Sequence, residues 1–243
     1  METADFVRTL DREGQLLAAA AGSEAEVPTC PDWQVRDLLR HTGMVHRWAA
    51  AFVAEGHTSA RPDGGLPDLD GAELLAWFRE GHRQLVDTLV GAPADVRCWQ
   101  FLPAPSPLAF WARRQAHETT VHRFDAETAR GATPSGIDPA FAADGVDELL
   151  CAFHARRRSR VRSAEPRVLR VRATDMSGAV WTVRLSQEPP VAARGDAAPA
   201  DCEISGPVAR LYLALWNRLP FPHVTGDAAV ATLWRENSAV TWS

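Results

Sequence analysis

The segment RRQAHETTVHRFDAE, Arg113 to Glu127, sets Glu118 and His122 four residues apart in what reads as a helix. At about 100° per residue, positions four apart lie roughly 40° from each other. A carboxylate and an imidazole so placed share one face and can grip one divalent cation. His117-Glu118 opens like the H-E-x-x-H of a zincin, but here the second histidine comes one residue too late. His117 and His122 stand about 140° apart and cannot close on the same ion. The usable pair is Glu118 with His122, and His117 is a bystander.

The helical wheel gives that pair a direction. Trp111, Arg114, His122, Asp125 and Ala129 share the face of Glu118, and Leu108, Phe110, Val121 and Phe124 flank it. Ala112, Arg113, Ala116, Thr119, Thr120, Arg123 and Glu127 form the opposite face, which is small or polar and expected to meet water. The carboxylate and imidazole therefore point inward, where a charge must be paired, hydrogen-bonded or metal-bound. From this helix alone, a ladder Arg114–Glu118–His122–Asp125 without metal remains an open alternative.

A third ligand candidate lies upstream. In VPTCPDWQVRDLLRHTGMVHRWAAAF, a proline-rich turn gives way near Val35 to an amphipathic helix with an apolar stripe Val35, Leu38, Leu39, Thr42, Val45, Ala49 and Phe52. His41 lies on the edge of that stripe, whereas His46 falls about 140° away and is not a co-ligand. Two helices supplying His41, Glu118 and His122 would make a His₂Glu site with an open position. Such a set suits a catalytic zinc, with nickel or manganese as other divalent choices.

These residues need a scaffold, and the chain supplies a helical one. Apolar residues recur at helical period over Thr3–Ala21, Ala72–Val90, Pro107–Gly131 and Pro139–Arg157, with loops rich in Gly, Pro and Asp between them. The first of these helices is the expected antiparallel partner of the His41 helix. Four to five such helices imply a bundle, and bundles build metal sites from facing helices. After Arg157 the period changes: Leu169, Val171 and Ala173 alternate with arginines, Asp175–Gly178 turns, and Trp181, Val183 and Leu185 alternate in return. A short strand is expected at Cys202–Ile204, a helix from Pro207 to Leu219 and a last helix from Asp227 to Glu236. The expected fold is α plus α+β: a helical domain over 1–157, then a small α+β domain over 165–243.

Composition excludes several function classes. Net charge is −5 at pI 5.9, which gives no basic patch for nucleic acid or an anionic membrane. All 26 basic residues are arginine, and lysine is absent, the codon signature of a GC-rich genome. The cluster Arg156, Arg157, Arg158, Arg160 and Arg162 reads as a solvated helix end and linker. Cys30, Cys98, Cys151 and Cys202 are widely spaced with no C-x-x-C, and no stretch approaches 18 apolar residues. A soluble, reduced, cytoplasmic chain is expected, acting as a monomer or weak homodimer. Cys30, beside the His41 helix, is read as a structural thiol.

The strings VPTCPDWQVRDLLRHTGMVHRW, RRQAHETTVHRFDAE, RVRATDMSGAVWTVRL and DCEISGPVARLYLALWNRLP, in that order, resemble the mycothiol-dependent maleylpyruvate isomerase family. The resemblance implies a DinB-like four-helix metal-binding domain followed by a sterol-carrier-like α+β domain. It implies metal ligands at the histidine of L-x-x-H and the Glu and His of H-E-x-x-x-H-R, which here are His41, Glu118 and His122. It also implies mycothiol as cofactor and a small electrophilic substrate. Gln34 departs from the Ser or Thr cap usual in relatives. The chemistry so implied is addition of a thiolate to the cis double bond of maleylpyruvate, rotation, and elimination to fumarylpyruvate; S-transfer to another electrophile is the related outcome. Arg114 and Asp125, one turn either side of the ligands, are candidates to anchor an anion or support a ligand. Arg218, ending the Pro207 helix, is a candidate carboxylate clamp. Metal-dependent hydrolysis by bound water, and a non-enzymatic protein holding an apolar ligand in its second domain, are the alternatives.

Overall fold

A computed structural model describes residues 1–21, 24–196 and 199–239. The chain divides into two compact units, Met1–Ser135 and Gly136–Ser243.

Among its described residues the first unit holds four helices: α1 (Thr3–Ala19), α2 (Val35–Glu55), α3 (Gly71–Gly91) and α4 (Pro107–Ala129). Their ends follow local chemistry. Ser106 caps α4 by accepting the Ala109 N–H at 3.1 Å, with Pro107 in the first turn where its missing N–H costs nothing. Asp37 reaches back to the Gln34 N–H at 2.9 Å at the start of α2, which makes up for the absent Ser or Thr cap. Gly56, at φ 64°, ends α2 in the left-handed conformation that glycine adopts without strain.

The packing of α4 corrects the wheel. Every residue from Arg114 to Ala126 is buried, including the supposed water-facing Ala116, Thr119, Thr120 and Arg123. The helix is enclosed because α1, α2 and α3 all pack on it, so several of its polar residues find their partners on neighbouring helices. Thr119 Oγ1 meets His46 Nε2 at 2.9 Å, and Arg123 donates to Glu13 Oε2 of α1 at 2.7 Å. The expected pairing of α1 with α2 also gives way: the main neighbours of α1 are α4 and α3. Leu10, Leu17, Val35, Leu38, Phe52, Phe78 and Leu85 fill the spaces between the helices.

The second unit begins earlier than the change of period suggests. Helix α5 (Pro139–Asp147) belongs to it, ahead of the break expected between 157 and 165, because its apolar side is covered by α6 (Val208–Leu215). The Phe141 ring meets Tyr212 edge-on at 6.3 Å. The single helix expected to Arg157 widens into a π-helical stretch at Glu148–Phe153, where the His154 N–H bonds the Leu149 carbonyl at 3.0 Å. The arginines that follow tie off this end: Arg156 donates to the Phe153 carbonyl at 3.0 Å and lies over the Phe153 ring.

The sheet has the order β3-β2-β1-β4-β5, from β1 (Arg167–Ala173), β2 (Val180–Leu185), β3 (Val191–Arg194), β4 (Cys202–Gly206) and β5 (His223–Gly226). β1 and β4 run parallel, and the other neighbours are antiparallel. The alternating residues Leu169, Val171, Trp181, Val183 and Ile204 are buried, and α6 and α7 (Ala228–Asn237) pack on β1 and β4. Trp181 is anchored by its indole N–H, which donates to Asp147 Oδ1 at 2.6 Å. Among the described residues, no helix is long and apolar enough to cross a membrane.

His154 gives this unit a dependence on acid. Burial, and then the charge of Arg156, push its imidazole down from 6.5 to about 4. The unfolded chain takes up this proton as pH falls below about 6.5, while the folded chain resists until about 4. The linked stability is therefore intact above that window and lost on descending through it, by about 3 kcal/mol at one unit per 1.36 kcal/mol. Urea unfolding of wild type and His154→Gln between pH 7 and 4 should show a steeper acid loss in the wild type. Parallel curves would exclude the linkage.

Candidate metal centre

His41 on α2 and Glu118 and His122 on α4 converge so that one ligand atom from each lies within 4.8 Å of the others. His41 Nε2 and His122 Nε2 each stand 3.3 Å from the same oxygen, Glu118 Oε1. All three side chains are buried. Two imidazole nitrogens and a carboxylate oxygen form a donor set that suits a borderline divalent cation and leaves further coordination positions open.

Neighbouring groups fix each donor. Arg114 Nη2 donates to Glu118 Oε2 at 3.3 Å, and Asp125 Oδ2 meets His122 Nδ1 at 3.1 Å. A carboxylate on Nδ1 sets the tautomer that leaves Nε2 as the ligating atom, the usual outer support of a metal-binding histidine. Burial alone would raise the Glu118 carboxyl, but hydrogen bonds from His122 and His41 and the charge of Arg114 hold it well below its ordinary value. Burial would lower His122, yet Asp125 and Glu118 together raise it. The cluster is thus a buried, closely coupled set of a carboxylate and two imidazoles, with Arg114 and Asp125 as its charged neighbours.

The other histidines lie apart from this cluster. His117 is buried against Phe6 of α1, with ring centroids 6.0 Å apart. His46 bonds Thr119, and its ring stands 5.3 Å from that of His82. Burial, then the neighbouring His82, hold His46 well below its ordinary value, so it stays neutral. Arg218 belongs to the second unit, just beyond α6, where its guanidinium donates to the Trp216 carbonyl at 2.9 Å.

Three neighbours were not singled out for the site by sequence reasoning: Thr29, Cys30 and Trp33. Thr29 Oγ1 donates to Asp125 Oδ1 at 2.6 Å, and the Cys30 thiol lies 3.8 Å from Oδ2. The Trp33 ring is 5.2 Å from that of His41 and stacks on His122 at 6.4 Å. Their nearness to the His41 helix in sequence was the one available signal, and it does not report contacts with α4.

A helical unit with a His₂Glu cluster between two helices, followed by a small α+β unit, defines the class of protein. Residues 3–127 match the mycothiol maleylpyruvate isomerase N-terminal domain, and residues 140–233 match the MDMPI C-terminal domain. The chain belongs to the mycothiol maleylpyruvate isomerase family. The fold matches the crystal structure of a histidine-to-alanine mutant of the mycothiol-dependent maleylpyruvate isomerase, with TM-score 0.63 and 11% identity over 90% of each chain. A second crystal structure of the mycothiol-dependent maleylpyruvate isomerase matches with TM-score 0.59 and 11% identity, over 93% of this chain and 92% of that one. No curated protein matches the chain in sequence.

Proposed function

We propose that this protein is a metal-dependent enzyme that uses a low-molecular-weight thiol, mycothiol, to isomerise a small electrophilic acid of the maleylpyruvate type or to conjugate it. The observation that carries this reading is the buried convergence of His41, Glu118 and His122, within a chain of this family. A divalent ion held by these residues, zinc first among the choices, would keep a coordinated thiol deprotonated at neutral pH. Such a thiol would supply a sulfur nucleophile for reversible addition to a cis double bond, a route to isomerisation with no net consumption of the thiol.

The chain's own residues prepare and confine that chemistry. Glu118 contributes negative charge, and Arg114 keeps its second oxygen oriented. Asp125 holds His122 with Nε2 toward Glu118. Arg114 and Asp125 are therefore proposed as positioning residues.

The ion can be tested through metal content and turnover of the purified chain, before and after chelation. About one divalent ion per chain is expected, with turnover lost on chelation and restored by zinc. Absence of zinc, nickel and manganese alike, or turnover indifferent to chelation, would contradict the proposal.

A further inference from the structure

The segment between α1 and α2 closes on itself. Val27 N–H donates to the Trp33 carbonyl at 2.8 Å, Cys30 N–H to the Val27 carbonyl at 3.0 Å and Trp33 N–H to the Cys30 carbonyl at 3.1 Å, while Glu26 bridges Gln34. Asp32 at its tip has φ 68°, a left-handed conformation that few side chains other than Asn and Asp tolerate. The loop is thus a built shape that presents chosen side chains to the bundle.

Two of those side chains meet one carboxylate of α4. Thr29 Oγ1 donates to Asp125 Oδ1 at 2.6 Å, the length of a hydroxyl bonded to an ionised carboxylate. Cys30 Sγ approaches Oδ2 at 3.8 Å, and Oδ2 also meets His122 Nδ1 at 3.1 Å. Asp125 is fully buried, so its orientation is decided by protein donors rather than by water. Trp33, from the same loop, lies against the rings of both His41 and His122. One loop therefore touches the imidazoles supplied by two different helices.

We propose that Thr29 is a positioning residue of the metal centre, acting through Asp125 on His122. The inference rests on the reading that His41, Glu118 and His122 hold a divalent ion. With Oδ1 held by the Thr29 hydroxyl, the carboxylate plane is fixed and Oδ2 is left to take the His122 Nδ1–H. His122 Nε2 then points toward Glu118 without reorganising when an ion arrives. Without the hydroxyl, the carboxylate is freer to turn, and part of the binding energy goes to restoring the arrangement. Loss of an outer support weakens metal affinity by roughly 10- to 100-fold; Thr29, one hydrogen bond further out, belongs at the lower end.

The test is zinc affinity by competition with a chromophoric chelator, for wild type, Thr29→Val, Thr29→Ala and Thr29→Ser, alongside melting of the zinc-free proteins. The valine variant keeps the shape and loses the donor, and the alanine variant replaces it if valine fails to fold. Zinc should bind about tenfold more weakly to both, and the serine variant should return to within about twofold of wild type. Equal affinity in the valine or alanine variants and the wild type would overturn the proposal. So would a weakened serine variant, because the methyl group rather than the hydroxyl would then be responsible. A lower zinc-free melting temperature with unchanged affinity would show a purely structural role and overturn it too. If the wild type itself binds no zinc, the metal site fails along with it, an outcome distinct from the others.

Discussion

Replacing His122 with alanine is expected to strip the divalent ion and abolish turnover, whereas replacing His117 with alanine should leave both in place. The two residues sit five apart on one helix and are equally deep in the protein, so a general effect of burial cannot separate them. Geometry does: His122 Nε2 is 3.3 Å from Glu118 Oε1, while His117 packs on Phe6 of α1. Removing a ligand should cost more affinity than the roughly 10- to 100-fold lost with an outer support. His117→Ala leaves a small cavity and should cost about 1–3 kcal/mol of stability, read as a lower melting temperature with metal content unchanged. Equal metal content in the two variants would remove the site.

Arg123→Met is the second large effect, and it concerns the fold that holds the site. Arg123 and Glu13 are both almost fully buried, and they join α4 to α1 at 2.7 Å. A second arm of the guanidinium reaches Glu127 and the Ser135 carbonyl, each at 2.8 Å. Deleting the cation leaves the buried Glu13 carboxylate to the half-exposed Arg12, which bonds its other oxygen at 2.7 Å, a loss of about 3 kcal/mol, the lower end for a broken buried pair. Arg123→Met with Glu13→Gln should be less damaging than the single change, because the fully buried charge at position 13 is gone and Glu127 keeps its bonds from Ser135. Urea unfolding of the three variants gives the coupling. If the double variant is as unstable as the sum of its parts, the pair is not what joins the helices.

Much of the centre was legible because it obeys local periodicity. Glu118 and His122 are one helical turn apart, and His41 lies on the stripe of a second helix. The same periodicity misled on α4, since a helix enclosed by three others has no water-facing side, and small or polar residues there mark close helix contacts. Arg123 looked solvated for that reason, although its partner Glu13 is 110 residues away. Thr29 was silent in the same way, its bond to Asp125 spanning 96 residues. In the second unit, β1, β2 and β4 announced themselves by alternating apolar residues. The edge strands Val191–Arg194 and His223–Gly226 bury little and carry no such pattern. They are strands because β2 and β4 offer them free edges to pair with.

The central claim is that the ion at His41, Glu118 and His122 works with a thiol rather than with water. The measurement that addresses it most directly is turnover of the cis-unsaturated keto acid by zinc-loaded protein, with mycothiol present and with mycothiol omitted. Turnover is expected with the thiol and should vanish without it, although zinc remains bound throughout. Turnover that continues unchanged without the thiol would contradict the account and assign the ion to the activation of water.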